Sequence, residues 1–287
     1  MVISKGQVLD TAQKLPVFPR IVNEILHTID DPNFNFNALV KHVSHDPVLT
    51  GQVFSIANQA ATHIHHDLQI NDLYKATSLV GVMKLQKMVI LASISNHFEG
   101  ASSGDLPEML WERSLATGLC AQHVAAFSGI SDGTALIAGL LHNVGKLWLH
   151  RFLPQDYRSV LEQQEQSSAH PCQIEREAFG IDHAVIGSWL AEFWSLPPLI
   201  VDAILHYCDP DKGEGNPYAD AVHVAEVIGN ALDLAPDSHV TYISEGACER
   251  LGLSWDERSD DLFGTIEASI RLLERELLIS HPVQVAD

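Results

Sequence analysis

The residues best suited to chemistry lie in Ala138-Gly139-Leu140-Leu141-His142-Asn143-Val144-Gly145-Lys146-Leu147. An apolar helical run carries an imidazole and a polar neighbour to a helix end, turns at Gly145 and leaves Lys146 beside the pair. That layout suits a buried helix end holding a divalent metal or a phosphate. A metal seat asks for an anionic oxygen next to the imidazole, whereas Asn143 supplies a neutral amide. Other reactive groups are scattered. Asp182-His183 opens a helical stretch, and His223 and Glu226 share one helix face at i, i+3. His63, His65 and His66 fall in a segment read as a solvated loop in preference to a metal clip. Cys120, Cys172, Cys208 and Cys248 are widely spaced with no CxxC, and read as reduced thiols of a cytoplasmic protein.

These groups need helices to position them. Residues 8–30 read as a helix whose first turn holds Pro19. A short helix follows from Asn37, and Asp46-Pro47 starts another with Leu49, Val53, Ile56, Ala57 and Ala60 on one face. Periodicity resumes over 72–98 and passes through Gly81. The segment from Gly100 to Pro107 is small, polar and breaker-rich, and marks a subdomain boundary. Beyond it, Trp111 to Phe127 reads as one long helix, and Ser131 or Asp132 caps the helix that ends at His142. Residues 155–178 look like a surface helix broken around Pro171. Asp182 caps the next, Pro197-Pro198 opens one more, and Ala219 to Leu232 carries His223 and Glu226. The tail from Ser244 adds two helices. No segment alternates as a strand would, so the fold class is all-α. Trp111, Trp148, Trp189 and Trp194 read as core anchors.

The bulk composition narrows the function. Lys plus Arg total 17 and Asp plus Glu 37, a net charge of −20. Such a surface repels phosphate backbones and anionic membranes, so neither nucleic acid nor membrane is expected as a partner. No apolar run reaches the roughly 20 residues of a membrane span, and the first residues do not resemble a secretory signal.

A set of motifs in order carries a resemblance. They are Leu15-Pro16 with Pro19, His45-Asp46-Pro47, Ile56-Ala57-Asn58, Ile70-Asn71-Asp72-Leu73 with Ala76, and Leu79-Val80-Gly81 with Leu85. Trp111 with Ser114, Ala138 to Lys146, Asp182-His183 with Gly187, and Trp194 with Leu196-Pro197 follow. Over roughly residues 8–235 the chain resembles the HDOD proteins, relatives of the HD phosphohydrolases. The resemblance implies an N-terminal helical subdomain (1–104), an HD-like helical subdomain (105–235) and a C-terminal helical extension (236–287). In active HD enzymes two His and two Asp hold a divalent metal that activates water against a phosphoester. Carried over, the first His falls at Arg113, the HD pair is His142-Asn143, and a further His is kept at His183. The His-His before Asp209-Pro210 reads Tyr207-Cys208, with His206 one position early, and the last Asp is Glu226.

Those departures speak against an intact two-metal hydrolase, because the Arg113 guanidinium cannot lose its proton to ligate. His142 then reads first as a buried histidine hydrogen-bonded at a helix end. The sharper reading makes His142, His183 and Glu226 a residual site for Zn, Fe, Mn or Mg, assisted by His206 or His223. Another pairs Arg113 with Glu226 in the volume a metal would fill, and a fourth lets Lys146 and Arg113 hold an anion. No cofactor is expected on the leading view, which is a bacterial-type, non-catalytic signalling module. Its partners would be other signalling proteins, a second copy of itself, or a nucleotide or other small anion. The alternative is a metal-dependent phosphohydrolase with a reduced ligand set.

Overall fold

The computed structural model describes residues 2–14, 22, 36–45, 47–64, 70–101, 105–167, 169–213, 215–232, 242–254, 260–269 and 271. All of the regular structure among them is helical, so the chain is all-α. None of these helices is long and apolar enough to cross a membrane. The chain divides into two compact units, residues 16–100 and residues 1–15 with 101–287.

Helix α1 (Lys5–Ala12) belongs to the second of these, and residues 16–100 hold α2 (Phe36–Ser44), α3 (Pro47–Ile64), α4 (Leu73–Val80) and α5 (Val82–Ala101, whose last residue falls in the other unit). Leu39 and Val43 of α2 meet the stripe Leu49, Val53, Ala57 and Ala61 of α3, all buried at helical spacing. Asn58 fastens the segment leading into α4, because its Oδ1 accepts from Ile70 N at 2.7 Å and its Nδ2 donates to Ile70 O at 3.2 Å. Asp72 caps α4 by accepting from Lys75 N. The run over 72–98 is two helices, because Gly81 adopts φ 86°, a conformation that costs a side-chain-bearing residue energy. Helix α3 extends to Ile64 and so includes His63 of the supposed loop; His65, His66, Asp46 and Pro19 lie outside the described residues.

The other unit begins with α1, which has a capping box between Ser4 and Gln7 and buries Val8 and Ala12. It packs on α11 (His183–Phe193), Ile3 N donates to Phe179 O at 2.9 Å, and Trp148 Nε1 donates to Thr11 Oγ1 at 2.9 Å. Residues 1–15 thus cluster with residues 101–287. Helix α6 (Asp105–Ser128) lies against α7 (Asp132–Leu141) and α13 (Pro217–Ala231). The crossing of α6 and α7 is tight, since a Cβ on Gly139 would stand 2.6 Å from Gly118 Cα.

After His142-Asn143 come α8 (Val144–Phe152), α9 (Pro154–Glu165) and α10 (Pro171–Phe179), the last two each opening on proline. The expectation of a surface helix over 155–178 needs correction for α10, where Cys172, Ile174, Glu175 and Phe179 are buried. Asp182 caps α11 by accepting from Val185 N at 3.0 Å, and α12 (Pro198–His206) follows. Helix α14 (Glu245–Leu251) is fastened to α13 by Arg250, whose Nε and Nη2 donate to both oxygens of buried Asp220 at 2.8 and 2.7 Å. Residues 260–269 are also helical and bury Leu262 and Ile266.

Gly145 has a different purpose from the turn its type suggests. It lies inside α8, and a Cβ there would stand 1.9 Å from the His183 carbonyl oxygen. Gly145→Ala must push α8 and α11 apart and should cost about 3 kcal/mol, read as a lower urea midpoint at unchanged m-value.

Candidate functional site

Two buried polar centres sit in the unit formed by residues 1–15 and 101–287. The first is built on Glu226 of α13, a carboxylate sunk among helices. Arg113 and Thr117 reach it from α6, with Arg113 Nε and Nη2 on the two carboxylate oxygens at 3.4 Å each and Thr117 Oγ1 donating at 3.4 Å. His142 arrives from the end of α7, where its Nδ1 donates to Gly139 O at 2.5 Å and its Nε2 meets Glu226 Oε1 at 2.7 Å. Burial alone would push the Glu226 carboxyl up, but Arg113, His142 and Lys146 outweigh it and hold the group well below the usual carboxylate range. Burial, reinforced by Arg113, brings the Lys146 ammonium down from the usual lysine range.

Asn143 stands apart. It is fully buried, it makes no side-chain cap to α8, and neither its Oδ1 nor its Nδ2 has a hydrogen-bond partner. Buried amides are nearly always paired, so an orphan of this kind commonly marks a place for a water or a ligand.

The second centre lies around His183, the first residue of α11. Its backbone N and its Nδ1 both donate to Glu175 Oε2, at 2.8 and 2.5 Å. Its Nε2 meets the Tyr207 hydroxyl and stands 4.0 Å from Cys208 Sγ. Burial lowers the His183 imidazole, but the Glu175 carboxylate beside it prevails and raises it to about 9. Burial likewise opposes ionisation of Glu175, and His183 and Lys146 overcome it. The Tyr207 ring packs on both imidazoles, edge-on to His142 at 5.0 Å and tilted to His183 at 6.0 Å between centroids.

This geometry separates the residues expected to act together. Arg113, His142 and Glu226 converge, and the pairing of Arg113 with Glu226 expected from their types is present. His183 does not join them; it is committed to Glu175 and Tyr207. His223 bonds Tyr207 O and Ser244 N, and His206 faces Asp202, so neither completes a ligand set. The Arg113 guanidinium lies against both Glu226 oxygens, the same Oε1 that His142 Nε2 meets included, and puts a fixed positive charge where a ligand would stand. The HD-type metal seat does not fit these residues. Among the described residues, the group of three metal-ligand side chains that does converge is Cys172, His183 and Cys208.

Sequence reasoning missed Glu175, Tyr207 and Cys172. A signal existed for the first: Cys172, Glu175 and Phe179 recur at helical spacing, which places one carboxylate in an apolar stripe. Tyr207 was read only as a lost histidine.

An all-helical chain with an HD-like fold and a histidine–amide pair at this helix end belongs to a definable class. The HDOD domain matches residues 15–210, and the chain belongs to the HDOD domain family. A protein of Treponema pallidum (strain Nichols), itself uncharacterised, is 25% identical over 203 residues, which cover 69% of this chain and 38% of that one. The chain thus matches well under half the length of that relative. An HDOD domain protein of unknown function from Geobacter sulfurreducens superposes with a TM-score of 0.73 at 23% identity, covering 93% of this chain and 98% of the other. A chain from Marinobacter aquaeolei VT8, proposed to be a signal transduction protein, gives 0.69 at 23% identity over 96% of this chain and 62% of that one. One from Shewanella amazonensis SB2B, proposed to be a phosphohydrolase, gives 0.66 at 22% identity over 93% of each chain. At such identities these likenesses establish the fold.

The Arg113–Glu226 contact can be tested through stability. Arg113→Met leaves a buried carboxylate short of its guanidinium and should cost about 3–5 kcal/mol in urea unfolding, with part regained in the double variant Arg113→Met/Glu226→Gln. Because the Glu226 carboxyl is lowered on folding, its contribution is complete above its ordinary value near 4.5 and is lost as pH falls through the folded-state value. Glu226→Gln should therefore flatten the acid limb of the stability profile below about pH 4.5.

Proposed function

We propose that this chain is a non-catalytic regulatory module of bacterial signal transduction, working through contacts with other signalling proteins or through a bound small ligand. One observation carries the reading: the Arg113 guanidinium, which cannot ligate a cation, stands 3.4 Å from both oxygens of Glu226, at a position where the HD pattern has a histidine ligand. A buried carboxylate with a guanidinium against both oxygens is a poor seat for a further cation. The signal-transduction role proposed for the Marinobacter aquaeolei relative agrees with it. The unpaired amide of Asn143, one helical turn from Lys146, favours a small polar ligand as the regulatory input. A nucleotide or other anion suits the local cations, and the net charge of −20 keeps polyanionic nucleic acid away. The module acts in the cytoplasm, alone or as a homodimer.

The rival reading is a phosphohydrolase, the role proposed for the Shewanella amazonensis relative. The purified chain, supplied in turn with magnesium, manganese, iron and zinc, should leave a panel of phosphomonoesters, phosphodiesters and nucleotides uncleaved above buffer. Metal-dependent turnover that disappears in His142→Ala would sink the regulatory reading.

A further inference from the structure

The centre around His183 carries chemistry that the regulatory reading does not use. Cys172 Sγ from α10, His183 Nε2 from α11 and Cys208 Sγ just beyond α12 all lie within 4.8 Å of one another. Of these, His183 is a kept histidine of the HD ligand pattern and Cys208 stands where that pattern has another histidine, whereas Cys172 lies outside it. We propose that Cys172, His183 and Cys208 bind a zinc ion that ties α10, α11 and the end of α12 together.

The donors match zinc in type and in spacing. Two thiolates and an imidazole form a soft, borderline set that selects zinc over magnesium or manganese. Tetrahedral zinc, with sulfur at about 2.3 Å and nitrogen at about 2.0–2.1 Å, sets donors roughly 3.5–3.8 Å apart. The Cys208–His183 separation is already 4.0 Å. Closing the group around an ion then asks for about 1 Å of movement at the widest gap, within reach of small side-chain rotations. Two thiolates cancel the charge of the dication, and both thiols, together with any proton on His183 Nε2, give their protons to solvent on binding.

The surroundings already orient the nitrogen. Glu175 is fully buried and accepts from both the backbone N and Nδ1 of His183, which leaves Nε2 facing the Tyr207 hydroxyl with Cys208 Sγ 4.0 Å away. A carboxylate behind a histidine in this way fixes ring orientation and tautomer at metal centres. On binding, zinc would displace the Tyr207 hydroxyl that now meets Nε2. The fourth corner of the tetrahedron is left to a water; His170 stands beside the group, its Nδ1 accepting from Cys172 N at 3.2 Å. Cys172 and His183 are buried and Cys208 is only partly so, which gives an ion a side to enter from.

Zinc content of the full chain, purified under reducing conditions and measured by mass spectrometry, should approach about one ion per chain. Cys172→Ser and Cys208→Ser should each lower it to below about a tenth of that, whereas Cys120→Ser should leave it unchanged. Glu175→Gln should weaken zinc about tenfold in competition with a chromophoric chelator. If a serine variant fails to fold, the cobalt(II) form of the unaltered chain still decides, through thiolate-to-cobalt charge-transfer absorption with tetrahedral visible bands. No retained zinc, zinc indifferent to both serine substitutions, a cobalt spectrum without thiolate bands, or Cys172 and Cys208 joined as a disulfide in place of the ion would each overturn the proposal. The two readings fail separately. Zinc held by these cysteines in a chain that cleaves nothing leaves the regulatory function intact, and turnover lost in His142→Ala would leave the zinc centre standing.

Discussion

A carboxylate in the middle of a helical core must be neutralised where it stands, or it costs several kcal/mol. Glu226 sets that condition for α13, and it is met by Arg113 from α6 and His142 from the end of α7. Three helices are thereby fixed at the depth at which those side chains can meet. The meeting depends in turn on backbone closeness. Gly118 and Gly139 bring α6 and α7 together, and Gly145 seats α8 on the start of α11. A bulkier residue at any of these crossings would open gaps that the arms of His142 and Arg113 do not span.

The two polar centres share a partition. Tyr207 lies against His142 on one side and His183 on the other, and donor groups on each imidazole are spent on oxygen partners of its own centre. One ring thus keeps apart two histidines that the HD ligand pattern would bring to a common ion. Its phenol also closes the hydrogen-bonding capacity of His183 Nε2, so that neither imidazole is left idle in the interior. Lys146, carried by α8 between the centres, contributes positive charge that both Glu226 and Glu175 register.

Much of this arrangement is legible in residue types and spacing. Apolar periodicity gives the helices, Asp182 caps α11 by a bond its position foretells, and the HD resemblance, which sets Arg113 and Glu226 at two ligand positions, admits their pairing as one of several readings. What sequence cannot convey is direction. Whether His183 faces His142 or Glu175 depends on how α10 and α11 are rotated about their axes, and that rotation is decided by packing around Phe179, Ile3 and the Gly145 contact. The placement of residues 1–15 beside α11 is equally invisible, because a capping box specifies where a helix starts but not what it lies upon. Cys172 and Cys208, distant in sequence and without a spacing motif, become neighbours only through the same rotations.

The ion pair at the first centre also restricts how this chain can change. Losing Arg113 alone takes the guanidinium from a buried carboxylate, and losing Glu226 alone takes the carboxylate from a buried guanidinium, so each single replacement passes through a less well compensated buried charge. Only joint replacement avoids that barrier. Across diverged copies of this chain, positions 113 and 226 should consequently drift as a linked pair, with a carboxylate at one seldom found without a cation at the other. A lineage that has reached this state is held in it by stability alone, whatever becomes of its function.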